Sequence, residues 1–201
     1  MGKLAPIDIS DTKDIHQIMD KCHNVFKESM LSKENKNHID NKKVIVPISW
    51  EEYKAVPFWH AASIDEKVSG KLNEDDLPCK KDICTILCEC NCLSGNETIV
   101  LHSKKRRKCI FRATRVNWIS QIIEMYNVAD QRVKYWEKIT KKQLRIHLRY
   151  EEEEVDYLVV LENKSKKRVV FITAFPVFYP GAKKAYEEDY QNYIANKNKR
   201  L

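Results

Sequence analysis

The sequence predicts an α+β fold, in which a C-terminal antiparallel β-meander packs with helices and follows a mainly helical, cysteine-containing N-terminal region. Three observations predict it. Apolar residues recur at helical spacing near both ends of the chain, and strict two-residue alternation marks a strand at 143–150. Further β-like runs follow that strand after short turns. We divide the chain into an accessory region, 1–97, and a second domain, 98–201.

The accessory region begins with a predicted amphipathic helix over 11–31, with Asp11 as its N-cap. The polar stretch SKENKNHIDNKK that follows has no periodicity and predicts an exposed linker. Ser49 and Glu52 have the spacing of a capping box, which predicts a short helix and turn over 53–64. Residues 66–78 are polar and acidic, as expected of a boundary segment.

The second domain has a regular succession of apolar patterns. The predicted elements are a strand at 98–101 ending at His102, a basic run at 104–108, a helix at 112–127, strands at 143–150, 155–162 and 168–176, and a final helix after Gly181. Together they predict a helix, an antiparallel meander and a second helix.

Charge is distributed unevenly between the two halves of the chain. The whole chain carries 36 Lys and Arg against 29 Asp and Glu. Residues 1–100 contain 13 Lys, no Arg and 17 acidic residues, whereas residues 101–201 contain 14 Lys, 9 Arg and 12 acidic residues. The guanidinium group offers a planar fork of donors that matches phosphate oxygens. This half therefore predicts an anionic partner, most often nucleic acid, although basic residues also serve simply to solvate a surface.

The composition argues for a folded protein outside the membrane. A hydrophobic fraction of 43% can fill a core, which excludes wholesale disorder. The N-terminus has no apolar segment typical of a secretory signal, and no apolar run approaches the roughly 18 residues that cross a bilayer. We expect a cytoplasmic protein with no membrane partner.

Five of the seven cysteines lie within a short segment, and converging thiolates are the ligands of structural zinc. The two Cys-x-x-Cys knuckles usual in such sites are absent, so reduced cysteines buried as small apolar side chains are the alternative. The candidate metal ligands are Cys79, Cys84, Cys88, Cys90 and Cys92.

The second half also supplies the groups that a metal-independent ribonuclease needs. A base takes the 2′-hydroxyl proton, an acid protonates the leaving 5′-oxygen, and cations meet the charge on the phosphorus oxygens. Histidine suits both proton transfers because its reference pKa is ~6.5. The candidate catalytic residues are His102, Arg115, Arg145, His147 and Thr173. The candidate nucleic-acid-binding residues are Lys104, Lys105, Arg106, Arg107, Arg112 and Arg149.

Within this set, alternation places three residues on one face of a single strand: Arg145, His147 and Arg149. The alternative is that they form the solvated face of a half-buried sheet. We expect the two histidines, His147 and His102, to act as acid and base, in an order that the sequence leaves open. Arg115, Arg145 and Arg149 would stabilise the charge on phosphorus, with Thr173 orienting the phosphate.

Several short blocks occur in an order that resembles a known superfamily. They are His102, FRATRVNWISQII, the alternating basic strand, DYLVVLE, and VVFITAFPVFYP before a helix with Lys and Tyr. Over roughly residues 98–195 the chain resembles the phage-associated nuclease-like domains of the barnase–EndoU–colicin–RelE superfamily. PFWHAASI and the cysteine cluster are similar to an accessory region found before such domains.

That resemblance implies a helix packed on a four-stranded antiparallel sheet, with RNA cleavage by metal-independent transesterification. Activity varies between members, and some only bind. The positions that match the polar blocks of the family are His102, Arg112, Arg115 and Thr173.

These observations favour an endoribonuclease that needs no catalytic cofactor, acting as a phage-associated or toxin effector on RNA. An antitoxin or immunity protein is a second expected partner. The alternatives are a non-catalytic nucleic-acid-binding protein and a partner-binding phage protein whose acidic first half masks the basic second half.

Overall fold

The computed structural model describes residues 2–32, 34, 37–69, 79, 95–153, 155–178 and 180–199. Helices and antiparallel strands with one parallel pairing make up these residues, so the chain has the predicted α+β fold. It divides into two compact units. The three-stranded unit comprises Gly2–Asn35 and Ile48–Trp118, and the six-stranded unit comprises Lys36–Pro47 and Ile119–Leu201. The division into 1–97 and 98–201 stays a prediction.

Helix α1, Ile15–Phe26, opens the three-stranded unit and continues into a π-helical turn, Lys27–Leu31. Its N-cap is Asp14 and not the predicted Asp11. The Asp14 carboxylate accepts hydrogen bonds from two main-chain N–H groups of the first turn, at 2.8 and 2.9 Å, as an N-cap does. Asp11 instead forms an ion pair with Lys21 at 2.6 Å.

The predicted capping box is wrong, because Ser49 precedes a β-hairpin and Glu52 lies in its turn. Strands β3, Trp50–Glu51, and β4, Lys54–Ala55, pair antiparallel, and the carbonyl of Ser49 accepts a bond from the N–H of Val56 at 2.8 Å. This main-chain bond closes the hairpin. Three short elements follow: helix α2, Val56–Ala62; strand β5, Ser63–Asp65; and helix α3, Glu66–Ser69.

The basic run is a strand of the three-stranded sheet. Strand β6, Thr98–Leu101, and strand β7, Lys104–Lys108, pair antiparallel, and β7 lies between β6 and β5. After β7 the chain forms helix α4, Ile110–Ala113, and then helix α5, Trp118–Asn127.

The single helix predicted over 112–127 is therefore two helices. Between them, the N–H groups of Arg115, Val116 and Trp118 each donate to the carbonyl three residues earlier. These are the bonds of a tighter turn than an α-helix makes. The indole N–H of Trp118 also donates to the carbonyl of Ala5 at 2.8 Å, which fixes the start of α5.

The elements of the six-stranded unit are β1, His38–Ile39; β2, Lys42–Ile45; β8, Val133–Thr140; β9, Gln143–Glu152; β10, Val155–Ser165; β11, Arg168–Pro176; and helix α6, Pro180–Asn198. The strands form a mixed sheet of order β1-β2-β11-β10-β9-β8, whose β2–β11 pair is parallel and whose other pairs are antiparallel. Across the described ranges we find no helix with the length and apolar character that a bilayer crossing requires.

Two features of this sheet depart from the sequence-based expectation. The predicted linker carries β1 and β2, and the main-chain N–H of Lys43 donates to the carbonyl of Lys167 at 3.0 Å. Strand β8 was not predicted, because lysines interrupt its apolar pattern. Lys134 Nζ lies 2.7 Å from Glu187 Oε2, and Lys138 Nζ lies 2.7 Å from Asp189 Oδ2. These two ion pairs attach β8, an edge strand, to α6.

Both faces of the meander are covered. One face of β9 contributes fully buried Ile146, Leu148 and Tyr150 to the core. On the opposite face, Trp136 packs with Leu158 and with tyrosines of α6. The interpretation of that second face as solvated is therefore wrong, because the chain's last helix supplies a cover that strand alternation alone does not reveal.

Candidate histidine–arginine site

Helix α2 carries the first imidazole of the candidate site. Pro57 lies in its first turn, where a missing N–H does no harm. Phe58, Trp59 and Ala61 are buried, whereas His60 is half-buried. His60 is thus the titratable side chain of an otherwise apolar helix that leads directly into β5.

The turn between β6 and β7 carries the second imidazole. His102 and Ser103 have φ values of 48° and 62°, and Leu101 pairs with Lys104 across them. This is a two-residue turn of type I′, which needs positive φ at both central positions. Histidine tolerates that region better than most residues, and the tight turn leaves His102 exposed.

The two imidazoles lie next to each other. Their ring centroids are 5.9 Å apart and their planes differ by 22°, a stacked arrangement. Nothing in the sequence spacing of His60 and His102 predicts this contact, which arises because β7 pairs with both β5 and β6.

Two guanidinium groups converge on one buried serine beside these rings. Arg106 donates from Nε to Ser63 Oγ at 2.8 Å and from Nη2 to the Ser63 carbonyl at 2.9 Å. Arg112 donates from Nη1 to the same carbonyl at 2.9 Å. The Ser63 hydroxyl donates in turn to the carbonyl of Trp59 at 2.5 Å. This network ties β5, β7, α2 and α4 together at the site.

The cluster carries an excess of positive charge. Asp65 Oδ2 lies 4.0 Å from Arg106 Nη1, which is longer than a hydrogen bond. Burial, followed by the neighbouring Arg112, lowers the pKa of Arg106 to about 10, with Asp65 opposing. Burial, followed by Arg106, lowers the pKa of His60 to about 4. A buried guanidinium whose pKa is lowered by a second guanidinium lies in an environment that favours an anion.

The remaining cations of β7 differ in their ion-pair partners. Lys105 Nζ and Arg107 Nη2 lie 3.5 and 3.0 Å from Glu66 Oε1. Lys108 is buried and ion-paired with two glutamates, at 3.2 and 3.5 Å. Lys104 is exposed next to the turn that carries His102. Among the lysines of this strand, Lys104 is thus the best placed to meet a ligand at the site.

The predicted catalytic Arg115 lies in the same unit but is held by α4. It is buried, and its Nη1 donates to the carbonyl of Phe111 at 2.8 Å and to Thr114 Oγ1 at 3.1 Å. Its guanidinium lies 3.4 Å over the Phe111 ring. These contacts give Arg115 a structural role in the α4 turn.

The other predicted residues lie in the six-stranded unit, and two of the arginines there have carboxylate partners. Arg145 Nη1 lies 2.7 Å from Glu162 Oε2. Arg149 binds Asp156 through both ends of its fork, at 2.9 and 2.7 Å, and its side chain is 2% exposed. Because its N–H donors already bind a carboxylate, the Arg149 guanidinium has few donors left for a phosphate.

His147 and Thr173 share one row of the same sheet face, because each pairs with Val160 from opposite sides. They are two strands apart, about 10 Å by the usual strand spacing. His147 is 8% exposed and stacks on Trp136, with ring centroids 4.9 Å apart. Burial lowers its pKa to about 4, aided by Lys138 and opposed by Asp189. The structure therefore places His147 inside the packing beneath α6.

The predicted zinc ligands fall mainly outside the described residues. These are Cys84, Cys88, Cys90 and Cys92. Cys79 is described and is buried. Within the described ranges, no group of three or more His, Cys, Asp or Glu side chains is arranged to hold a metal.

Sequence reasoning missed His60, although it identified His102, Arg106 and Arg112 as candidates. The one available signal was a histidine inside the apolar segment PFWHAA. A lone histidine in such a segment is usually a core residue, so that signal was weak.

The chain matches no protein-family model, no curated protein and no solved structure.

Proposed function

We propose that this chain is a metal-independent endoribonuclease whose reaction takes place at His60 and His102. The observation that supports the proposal is the stacking of two imidazoles, 5.9 Å apart, beside the convergent guanidinium groups of Arg106 and Arg112. Two proton-transfer groups next to two cations are what transesterification of an RNA phosphodiester requires.

In the proposed reaction, His60 accepts the proton of the 2′-hydroxyl, and the 2′-oxygen attacks phosphorus. The bond between phosphorus and the 5′-oxygen breaks, and His102 donates a proton to that leaving oxygen. The products are a 2′,3′-cyclic phosphate and a 5′-hydroxyl. His60 is assigned as the base because its lowered pKa, about 4, leaves it neutral at pH 7. His102 is assigned as the acid because it is the second imidazole of the stacked pair.

Arg106 and Arg112 would meet the charge that develops on the non-bridging oxygens. Each guanidinium has five N–H donors. Arg106 directs Nε and Nη2 to Ser63, and the resulting orientation is fixed before a substrate binds. Donors that are oriented before the reaction cost no reorganisation free energy when the transition state forms.

The experiment is cleavage of end-labelled RNA by the full chain in EDTA, with identification of the cyclic phosphate end. We expect cleavage by the wild-type chain and a loss of about 10²–10⁴-fold in His60→Ala and in His102→Ala, the usual contribution of a general acid or base. His16→Ala, an exposed histidine of the same unit, is the matched control and should cleave normally. Intact RNA with the wild-type chain under all conditions tested would refute the proposal.

The second candidate is non-catalytic nucleic-acid binding, which the exposure of Lys104 and Lys105 on β7 favours. In that case, affinity falls steeply with salt and no product forms. Under either function RNA is the proposed partner, and a protein that covers this site would act as its antitoxin or immunity partner.

A further inference from the structure

The β3–β4 hairpin displays aromatic side chains to solvent. Tyr53 is 96% exposed and Trp50 is 53% exposed. Glu52 and Tyr53 form its turn with φ values of 46° and 61°, and the pairing of Glu51 with Lys54 leaves no slack around them. Both residues have the positive φ that a type I′ turn requires, and this turn holds the Tyr53 side chain in solvent.

The hairpin is attached to the elements that carry the candidate histidine–arginine site. The indole N–H of Trp59, the residue before His60, donates to the carbonyl of Glu51 at 2.8 Å. Glu52 Oε2 lies 3.2 Å from Lys108 Nζ on β7. Lys108 is two residues from Arg106 on the same side of that strand, a separation of about 7 Å. Two contacts therefore join the hairpin that carries the exposed rings to α2 and β7, the elements that carry His60 and Arg106.

We propose that Trp50 and Tyr53 bind bases of an unpaired RNA strand whose phosphodiester lies at the candidate site, an inference that rests on the proposed function. Aromatic side chains stack on any base whose face is accessible, and bases in a duplex keep their faces covered. Flat aromatic rings attached to a cationic site therefore select single-stranded RNA as the substrate class.

Trp50 provides its own probe. The other three tryptophans, Trp59, Trp118 and Trp136, are also within the described residues, and all three are buried. Fluorescence that iodide can quench therefore reports on Trp50. A base that stacks on its ring is expected to quench that emission and to shield it from iodide.

The experiment titrates the full chain with a 2′-fluoro RNA octamer, which lacks the 2′-hydroxyl and so cannot be cleaved by transesterification. The same sequence in a duplex is the second probe. We expect quenching of the Trp50 emission and tight binding with the single strand. The anisotropy of a labelled octamer, which does not depend on Trp50, should show at least ten-fold weaker binding in Trp50→Ala/Tyr53→Ala, since two stacked bases together contribute at least that factor. Tyr53→Phe keeps the ring and should bind normally. Ile139→Ala removes another exposed apolar side chain, 74% exposed in the six-stranded unit, and is the matched control.

Three outcomes would overturn the inference. They are equal affinity of the double variant and the wild type for the octamer, equal affinity of the wild type for single strand and duplex, and self-association of the wild type that the double variant abolishes. The last would identify the hairpin as a protein contact. Failure of the proposed function is distinct, since the 2′-fluoro octamer would still bind and quench while natural RNA stayed intact.

Discussion

Arg106 is bonded twice to Ser63, from Nε to the hydroxyl at 2.8 Å and from Nη2 to the carbonyl at 2.9 Å. Ser63 is fully buried, and its hydroxyl also donates to the carbonyl of Trp59. The guanidinium is therefore held by a residue that itself has no freedom to move. Ser63 acts as a positioning residue for the cation that the proposed reaction needs.

Ser63→Ala is expected to lower kcat for RNA cleavage about ten-fold with little change in KM, because Arg106 loses the acceptor for its Nε. Loss of a buried hydroxyl should also cost about 1–2 kcal/mol of stability. Thr114→Val is the matched control, since Thr114 Oγ1 accepts from Arg115 at 3.1 Å in the same unit. Single-turnover kinetics and urea denaturation of both variants make the test. Equal cleavage rates in the two variants would contradict the positioning role.

The buried Arg149–Asp156 pair is predicted to matter for stability. Asp156→Ala should lower the free energy of unfolding by about 3 kcal/mol, near the lower end for an uncompensated buried charge, because Glu151 still lies 3.0 Å from Arg149. Asp189→Ala removes the half-exposed pair with Lys138 and should cost less than about 1 kcal/mol. Urea denaturation monitored by circular dichroism measures both. Similar losses for the two variants would show that Arg149 relaxes into solvent.

Stability is expected to fall with acid because His147 is buried as a neutral ring. Its pKa in the folded chain is about 4, below the ~6.5 of an unfolded histidine, so the unfolded chain binds more protons between these values. The contribution is complete above pH 6.5 and is lost as pH falls toward 4. His147→Phe keeps an aromatic ring against Trp136 and removes the proton site. The slope of unfolding free energy against pH should decrease by up to about 1.4 kcal/mol per pH unit. An unchanged slope would show that His147 is solvated.

The β8–β9 hairpin is predicted to gain stability from a better turn. Lys141 and Lys142 have φ values of 51° and 65°, in a type I′ turn that prefers Asn-Gly. Lys141→Asn/Lys142→Gly should stabilise the chain by about 1 kcal/mol, because left-handed backbone is costly for lysine. Thermal unfolding measures the change. The exposed substitution Lys166→Asn, outside any positive-φ position, is a control for the loss of a lysine. Destabilisation of the double variant would mean that the two lysines make contacts whose stabilisation exceeds the cost of their left-handed backbone.

Local patterns predicted the regular elements well. Residues 143–150, 155–162 and 168–176 are strands because β-branched and apolar side chains alternate or cluster there, and the structure has β9, β10 and β11 at these places. β2 was missed because it pairs with β11, far along the chain, and β1 has only two residues, too few for a periodic pattern. β8 pairs with its neighbour β9, but it was missed because the acidic residues that neutralise its lysines lie on α6. A strand whose lysines are neutralised by a helix fifty residues later has no local signature.

The candidate site could also be predicted only in part from the sequence, because it depends on pairing between strands. His102, Arg106 and Arg112 could be identified because charge and histidine stand out within a basic segment. His60 could not, because its contact with His102 depends on pairing between β5, β6 and β7. Alternation also placed Arg149 on a polar face, yet the buried Asp156 that occupies its fork comes from the next strand.

The most direct test of the His60–His102 assignment is single-turnover cleavage of an RNA dinucleotide whose 5′-bridging oxygen is replaced by sulfur. A thiolate leaves without protonation, so this substrate does not need the general acid. We expect His102→Ala to cleave it nearly as fast as the wild-type chain does, whereas His60→Ala should stay slow on both substrates. Equal defects of His102→Ala on the oxygen and the sulfur substrates would contradict the assignment of His102 as the general acid.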